Sequence, residues 1–467
     1  MQLTLSAIIE EARQSLKVSV PLIASEIIFA LSGFFATIMI AGLDQEILAA
    51  HAIVWSIYLP IIVFSMGILF SVSILVSQSF GARDNKSIRV GFMQGLLLGL
   101  LSSPLSMFVI WICPEILAWT GQDAAIIELA RPAFRTLIWT VLPLNIMIVI
   151  EHFFMGINKA YLVTAMSIII VPIEIFFFYI FIFGKFGFPS LGLSGIGYGL
   201  TISYCLITIP FLFYIFSSKK FKIYELWINW RRINTKILFE LIKLGLPLGF
   251  MFTMETGLFA VVATMMGKLG THVLAAYQIA YQYLMIALVV LFALIQATTV
   301  RVGTEVGKNN RLSLRLAAAI NMAIGIIFML GFSFIYTYFP KSAISLDIDV
   351  NSPHTVELVS EASKFLSVVG VLILVECVRL ISVGALRGLK DIKFPLFISF
   401  IGFWCVAFPA AYMFGFWFRL GGIGIWWGAT TGLATSASIL FVRFNRISKH
   451  INLEKLVTKA DGVPSTH

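Results

Sequence analysis

Apolar positions in this chain come in long unbroken blocks. They show neither the alternation of a half-buried strand nor the one-sided stripe of a soluble helix. The stretch GLPLGFMFTMETGLFAVVATMMG, Gly245 to Gly267, is one such block of about 23 residues, and about 20 apolar residues suffice to cross a bilayer as a helix. The same pattern predicts twelve spans, at roughly 18–42, 48–78, 90–112, 134–155, 160–183, 194–216, 242–267, 273–303, 314–338, 360–386, 394–416 and 421–443. Barrel strands would read as alternating segments of about ten residues. The blocks are longer and do not alternate, so the fold class is an all-α polytopic membrane protein, with backbone groups satisfied inside each helix. Ahead of the first span, LTLSAIIEEARQSLK carries Glu10, Glu11 and Arg13 and no cleavage-like site, so it does not read as a removable signal. Its Leu5, Ile8, Ile9, Ala12 and Leu16 fall on one helical face, which predicts a helix lying along the membrane surface.

Polar connections alternate in charge. ARDNKSIR, SSKKFKIYELWINWRRINTK, GKNNRLSLR, RGLKDIK and RFNRISKH are basic, whereas LDQE, PEILAWTGQDAAIIE and SLDIDVNSPH are neutral or acidic. About 24 Lys and Arg fall on the first side and about 7 on the other; the positive-inside rule then puts both termini in the cytoplasm of a cell inner (plasma) membrane. The chain also repeats. LAAHAI at 48–53 returns as LAAYQI at 274–279, 226 residues later, and the same offset relates Lys17 to Lys243, Pro21 to Pro247, Val76 to Val302, Gly81 to Gly307, Ser87 to Ser313 and Arg89 to Arg315. Six spans, an even number, separate the copies, so the halves share one orientation about an axis along the membrane normal. The expected organisation is an N-terminal lobe at 1–216, a basic cytoplasmic linker at 217–240, a C-terminal lobe at 241–444 and a cytoplasmic tail at 445–467, with a cavity between the lobes.

Composition agrees with that reading. The chain is 59% hydrophobic and 12% charged, with a mean hydropathy of +0.97, against roughly 25% charged residues in soluble domains. The net charge of +10 would suit nucleic acid were it not already explained by the loop asymmetry, so no nucleic-acid partner is expected. Cys113, Cys205, Cys377 and Cys405 lie in or beside apolar runs without paired spacing, and neither a disulfide nor a metal site is assigned to them. No P-loop, HExxH or nucleotide-binding cassette is present, which excludes an ATP-driven pump and argues against an enzyme. A transporter of this plan is driven by an ion gradient.

Acids in the spans carry the candidate chemistry, because even translocon scales charge a mid-helix acid roughly 2.5–3.5 kcal/mol. Glu255 sits near the middle of span 7, Glu376 near the middle of span 10 and Glu174 near the middle of span 5. Glu26 and Glu151 lie nearer span ends, where a structural role is expected. Facing one interior, Glu255 and Glu376 would share a proton, or a Na⁺ between their oxygens, and titrate as a unit. The competing reading is a static pair of Glu376 with Arg379, one turn away. Gln278 and Gln282, with Tyr277 and Tyr281 beside them, line the cavity together with Arg379 or else bond between helices. Gln296 recurs near the same face, and Arg301, near the cytoplasmic end of span 8, is expected to snorkel. Pro21, Pro172 and Pro247 are placed to kink spans 1, 5 and 7.

KVSVPLIASEIIFALSGFFATIMIAGL followed by ILAAHAI and SQSFGARD resembles the first lobe of a multidrug and toxic compound extrusion (MATE) transporter, NorM-like. IFGKFGFPSLGLSGIGYGLT, KLGLPLGFMFTMETG, LGTHVLAAYQIA, ATTVRVGTEVGKNN and GALRGLKDIKFP extend the resemblance over all twelve spans. It implies secondary active antiport: lipophilic or cationic small molecules leave in exchange for H⁺ or Na⁺ by alternating access between two lobes, with no further cofactor and the protein a monomer in the bilayer. It also implies coupling roles for Glu255 and for Glu376, where NorM-type members usually carry Asp. The chain departs from the family pattern at Ala36 and Phe178, where many members place acidic or amide residues, and at Leu372, where NorM-type members have Tyr. Glu174 falls one turn before Phe178 as a partial stand-in. These departures favour protons over Na⁺. An alternative with the same two-lobe plan is a lipid-linked precursor flippase, but an anionic headgroup wants several cavity cations and only Arg301 and Arg379 lie inside spans.

Overall fold

The computed structural model describes residues 5–119, 121, 123–227, 233–346, 348, 350, 352 and 355–460. Parts of the expected linker (228–232), of the acidic loop between spans 9 and 10, and of the tail (461–467) lie outside them. Twelve helices are long and apolar enough to cross a membrane: α1 (Leu5–Ala41), α2 (Gln45–Gly81), α3 (Asn85–Trp119), α4 (Ala124–Gly156), α5 (Ala160–Phe183), α6 (Ser194–Ser217), α7 (Thr235–Leu269), α8 (Thr271–Gly307), α9 (Arg311–Tyr338), α10 (Val356–Gly388), α11 (Lys393–Trp417) and α12 (Gly421–His450). No strand occurs among the described residues. Several helices outrun the hydrocarbon. α1 and α8 have 37 residues each, about 55 Å at 1.5 Å per residue against a core of about 30 Å.

The repeat seen in the sequence recurs in the backbone. The left-handed residue after α2 is Arg83 (φ 56°), and its counterpart 226 positions on, after α8, is Asn309 (φ 55°). Just beyond each, a side chain caps the next helix: Asp84 accepts from the Ser87 amide at 3.0 Å, and Asn310 from the Ser313 amide at 3.1 Å. Matching left-handed residues also follow α4 and α10 (Asn158, Lys390) and sit after α5 and α11 (Phe186, Arg419).

The chain forms two compact units, and both are discontinuous. One is Val20–Phe250 with Glu454–His467; the other is Met1–Ser19 with Met251–Leu453. In the second unit, small residues let helices approach closely. A Cβ on Gly384 of α10 would lie 2.8 Å from the Ile295 carbonyl of α8, and one on Gly388 would lie 2.7 Å from Val302. In α11 the backbone widens to π-helical geometry at Ile401–Ala407. Pro409 follows and has no amide to give to the preceding turn. This stretch presents Phe403 and Trp404 to the unit's interior site described below.

Two expectations are corrected here. Residues 5–16 do not form a separate surface helix; they are the first turns of α1, continuous to Ala41. Their apolar face is exposed (Leu5 73%, Ile9 59%), while Glu11, Ser15 and Ser19 on the other face are buried. The stripe was legible, but it points away from the protein. Arg301, in turn, does not snorkel. It is buried in the second unit, where Glu11 accepts from its Nε at 3.0 Å and its Nη2 at 2.8 Å. Glu305 lies 3.3 Å from the same guanidinium, and Lys308 is 2.7 Å from Glu305. Asn321 of α9 donates to Ser15 at 3.2 Å and accepts from Ser19 at 3.3 Å. Carboxylates on both sides of the guanidinium made burial cheaper than reaching for water.

Candidate functional site

In the second unit, α7 and α10 bring Glu255 and Glu376 to opposite sides of one arginine. Arg379 is fully buried and Glu376 is 1% exposed. The guanidinium donates to Glu376 Oε2 from Nε at 2.9 Å and from Nη2 at 2.7 Å. Its Nη2 also lies 2.8 Å from Glu255 Oε1. The i, i+3 spacing on α10 makes the Glu376 contact local; the Glu255 contact depends on how α7 and α10 are rotated. Phe403, from the widened turn of α11, lies under the guanidinium at 5.2 Å, a cation–π contact that helps hold a desolvated charge. Trp404 packs beside Gly257, where a Cβ would be 3.4 Å from its ring. Two atoms stay open: Glu376 Oε1 and Arg379 Nη1 are buried without a hydrogen-bond partner among the described residues.

Arg387, two turns further along α10, is also fully buried, with its guanidinium 4.9 Å over the ring of Phe252 of α7. Sequence reading missed it, although a basic residue inside an apolar run is itself a signal. Phe403 was missed as well, and nothing in its local pattern distinguishes it from the chain's other phenylalanines.

One turn beyond Glu255 on α7, Phe259 begins an aromatic group. Its ring lies 5.5 Å from Tyr281, Tyr281 stacks on Tyr277 at 5.6 Å, and Tyr277 packs on the fully buried Trp426 at 5.3 Å. Tyr277 is buried and donates to the Phe259 carbonyl at 3.1 Å. Gln278 and Gln282 lie on the exposed side of α8. The two tyrosines therefore join the neighbourhood of Glu255, while the two glutamines face outward from this unit.

Glu174 belongs to the other unit. Buried on α5, it accepts a hydrogen bond from the Ser32 hydroxyl of α1. The same unit holds Glu26 and Glu151, both half-buried. It also holds a polar ladder in which Ser65 donates to Asn145 at 3.0 Å and Asn145 donates to Ser103 at 3.0 Å, and Tyr58 meets Thr140 at 2.6 Å. No cluster of three or more metal-ligating side chains occurs among the described residues.

A family model described as MatE matches residues 21–180 and 247–413. The probable multidrug resistance protein NorM of Rhizobium meliloti is 30% identical over 443 residues, covering 94% of each chain. Its namesake in Pseudomonas putida is 31% identical over 436 residues, covering 93% of this chain and 94% of its own. Among solved structures, MATE in the straight conformation superposes with a TM-score of 0.86 at 18% identity, covering 94% of this chain and 96% of that one. A eukaryotic MATE transporter gives 0.83 at 19%, covering 97% and 99%. A duplicated twelve-helix plan, buried carboxylates in both units and these matches along nearly the whole length identify the chain as a multi-pass membrane protein belonging to the MATE (multidrug and toxic compound extrusion) family of transporters.

Proposed function

We propose that the protein is a secondary active multidrug antiporter that exports lipophilic, cationic small molecules in exchange for protons, with its termini in the cytoplasm of the inner membrane. The observation that carries this reading is the Glu255–Arg379–Glu376 cluster. Two carboxylates and one guanidinium leave one formal negative charge when both acids are ionised. A single added proton neutralises the set. Sodium fits the site poorly. It needs several oxygen ligands, yet Arg379 already engages Glu255 Oε1 and Glu376 Oε2 and repels a second cation. A proton needs only one oxygen, and Glu376 Oε1 is open.

Drug coupling follows from the same charge count. A lipophilic cation at Tyr281, the half-exposed member of the aromatic group, is drawn by its ring face and by the excess negative charge close by at Glu255. Protonation removes that excess and releases the cation, so proton and drug compete for one charge. Glu174 is a second proton acceptor, held by a hydroxyl instead of a cation. Against the flippase alternative, Arg301 and Arg379 are each committed to carboxylates, and the third buried arginine, Arg387, is packed over the ring of Phe252.

Efflux of a fluorescent lipophilic cation from proteoliposomes tests the reading. Export driven by a pH gradient alone, and reduced to the level of protein-free liposomes by Glu255→Gln, is expected. Export driven equally by a Na⁺ gradient, or unchanged in Glu255→Gln, overturns it.

A further inference from the structure

Away from this site, the second unit carries a cavity of about 280 Å³ between α9, α10 and α12, lined among others by Arg315, Met322, Ile381, Ala385, Phe441 and Asn445. A water's share of liquid is about 30 Å³, so there is room for far more than one. The lining is graded along the helices. Arg315 is one turn from the start of α9, and Asn445 is little more than one turn from the end of α12. Met322 and Phe441 lie deeper, roughly 14–17 Å from those helix ends at 1.5 Å per residue. These are the ends that carry the basic loops. The cavity is thus polar and positive near these helix ends and apolar deeper in.

Arg315 is what gives the cavity a ligand chemistry. It is half-buried, and it makes no hydrogen bond or ion pair among the described residues; its Nε is shielded from solvent without an acceptor. Its counterpart in the repeat, Arg89, is differently placed: there Glu225 lies 3.2 Å from the guanidinium and accepts from it. Two neighbouring cations are engaged as well. Arg311 donates to the carbonyls of Lys449 and Ile451, and Arg443 pairs with Asp391 at 3.1 Å. An arginine fork suits a phosphate, and an apolar trough beneath it suits a hydrocarbon chain.

We infer that this cavity is a binding site for an anionic phospholipid of the leaflet on the basic-loop side, its phosphate on Arg315 and one acyl chain between α9 and α12. The first unit answers its own arginine with Glu225; the second takes its anion from the membrane.

Native mass spectrometry of the detergent-solubilised full chain, titrated with phosphatidylglycerol or phosphatidylcholine of identical chains, reads this directly. Retention of phosphatidylglycerol should exceed that of phosphatidylcholine by about fivefold, the ratio expected for one basic residue near anionic headgroups. Arg315→Gln should abolish the preference, and Arg89→Gln should leave it intact. Asn445→Asp, which puts a like charge beside the phosphate and keeps Arg315, should abolish it too, and serves if the first variant does not fold. Ala319→Trp, filling the trough, should reduce retention of both lipids. Equal retention of the two lipids by the parent chain, or an undiminished preference in Arg315→Gln or Asn445→Asp, overturns the site. Competition by glycerol phosphate as effective as by the lipid would assign it to a soluble organophosphate and overturn the lipid reading.

Discussion

The two units bury carboxylates in different ways. In the second, Glu255 and Glu376 share a guanidinium with zero exposure. In the first, Glu174 leans on a hydroxyl. An ionised carboxylate next to a fixed cation is held by charge, and removing either partner strands the other. A carboxyl beside serine is held by one hydrogen bond of ordinary strength. The same lipid-spanning scaffold therefore carries one site whose integrity depends on its charge balance and one that tolerates a change of protonation with little structural consequence.

The largest expected effect breaks the first arrangement. Arg379→Leu leaves two carboxylates facing each other in a dry interior and should destabilise the protein by about 3–5 kcal/mol, seen as a fall in detergent-solubilised Tm. Adding Glu376→Gln to that variant should recover part of the loss; no recovery would mean that Arg379 acts through packing on Phe403 and not through charge. Next comes function. Glu376→Gln keeps a hydrogen-bonding side chain next to Arg379 but removes the excess negative charge, so proton-driven export should drop to background while Tm moves little. A folded Glu376→Gln protein that exports normally would detach the cluster from coupling.

Smaller effects belong to the first unit. Ser32→Ala should cost about 1 kcal/mol and slow export less than Glu255→Gln does, as measured in the same proteoliposomes. If Ser32→Ala proves as damaging as Arg379→Leu, the contrast between the units fails. Smallest is Tyr277→Phe, which loses one hydrogen bond to the Phe259 carbonyl, about 1 kcal/mol or less, and keeps the stacking. It should shift apparent affinity for flat cations by no more than a few fold, whereas Tyr281→Ala, which opens the stack, should shift it more.

Periodicity made the spans readable, since a bilayer imposes length and apolarity on every segment that crosses it. The offset of 226 residues was equally visible, because identical residues such as Pro21 and Pro247 or Ser87 and Ser313 recur at it; the caps that Asp84 and Asn310 give those serines came only with the structure. Depth singled out Glu255, Glu376 and Glu174. Partnership was less accessible. The spacing of Glu376 and Arg379 announced a local pair, but the second carboxylate on the same guanidinium depends on helix rotation, which no local pattern encodes. Residues 5–16 show the same limit from another side. Their apolar stripe is real, yet a stripe on a helix at a membrane has two ways to be satisfied, by protein or by lipid. The buried charge at Glu11 decides between them through Arg301, far away in the chain.

That separation has a consequence for synthesis. Glu11 and Arg301 are 290 residues apart, so at ribosomal speeds of about 5–20 residues per second the acid is made roughly 15–60 s before its cation. The beginning of α1 belongs to a unit whose other helices do not yet exist when it emerges. Until α8 arrives, Glu11 lacks its cation, and Ser15 and Ser19 have only the bonds they make within α1, to Glu11 and to the Ser15 carbonyl. This early segment is thus among the last to find its place, because its partners are complete only once translation has passed α9 and its Asn321.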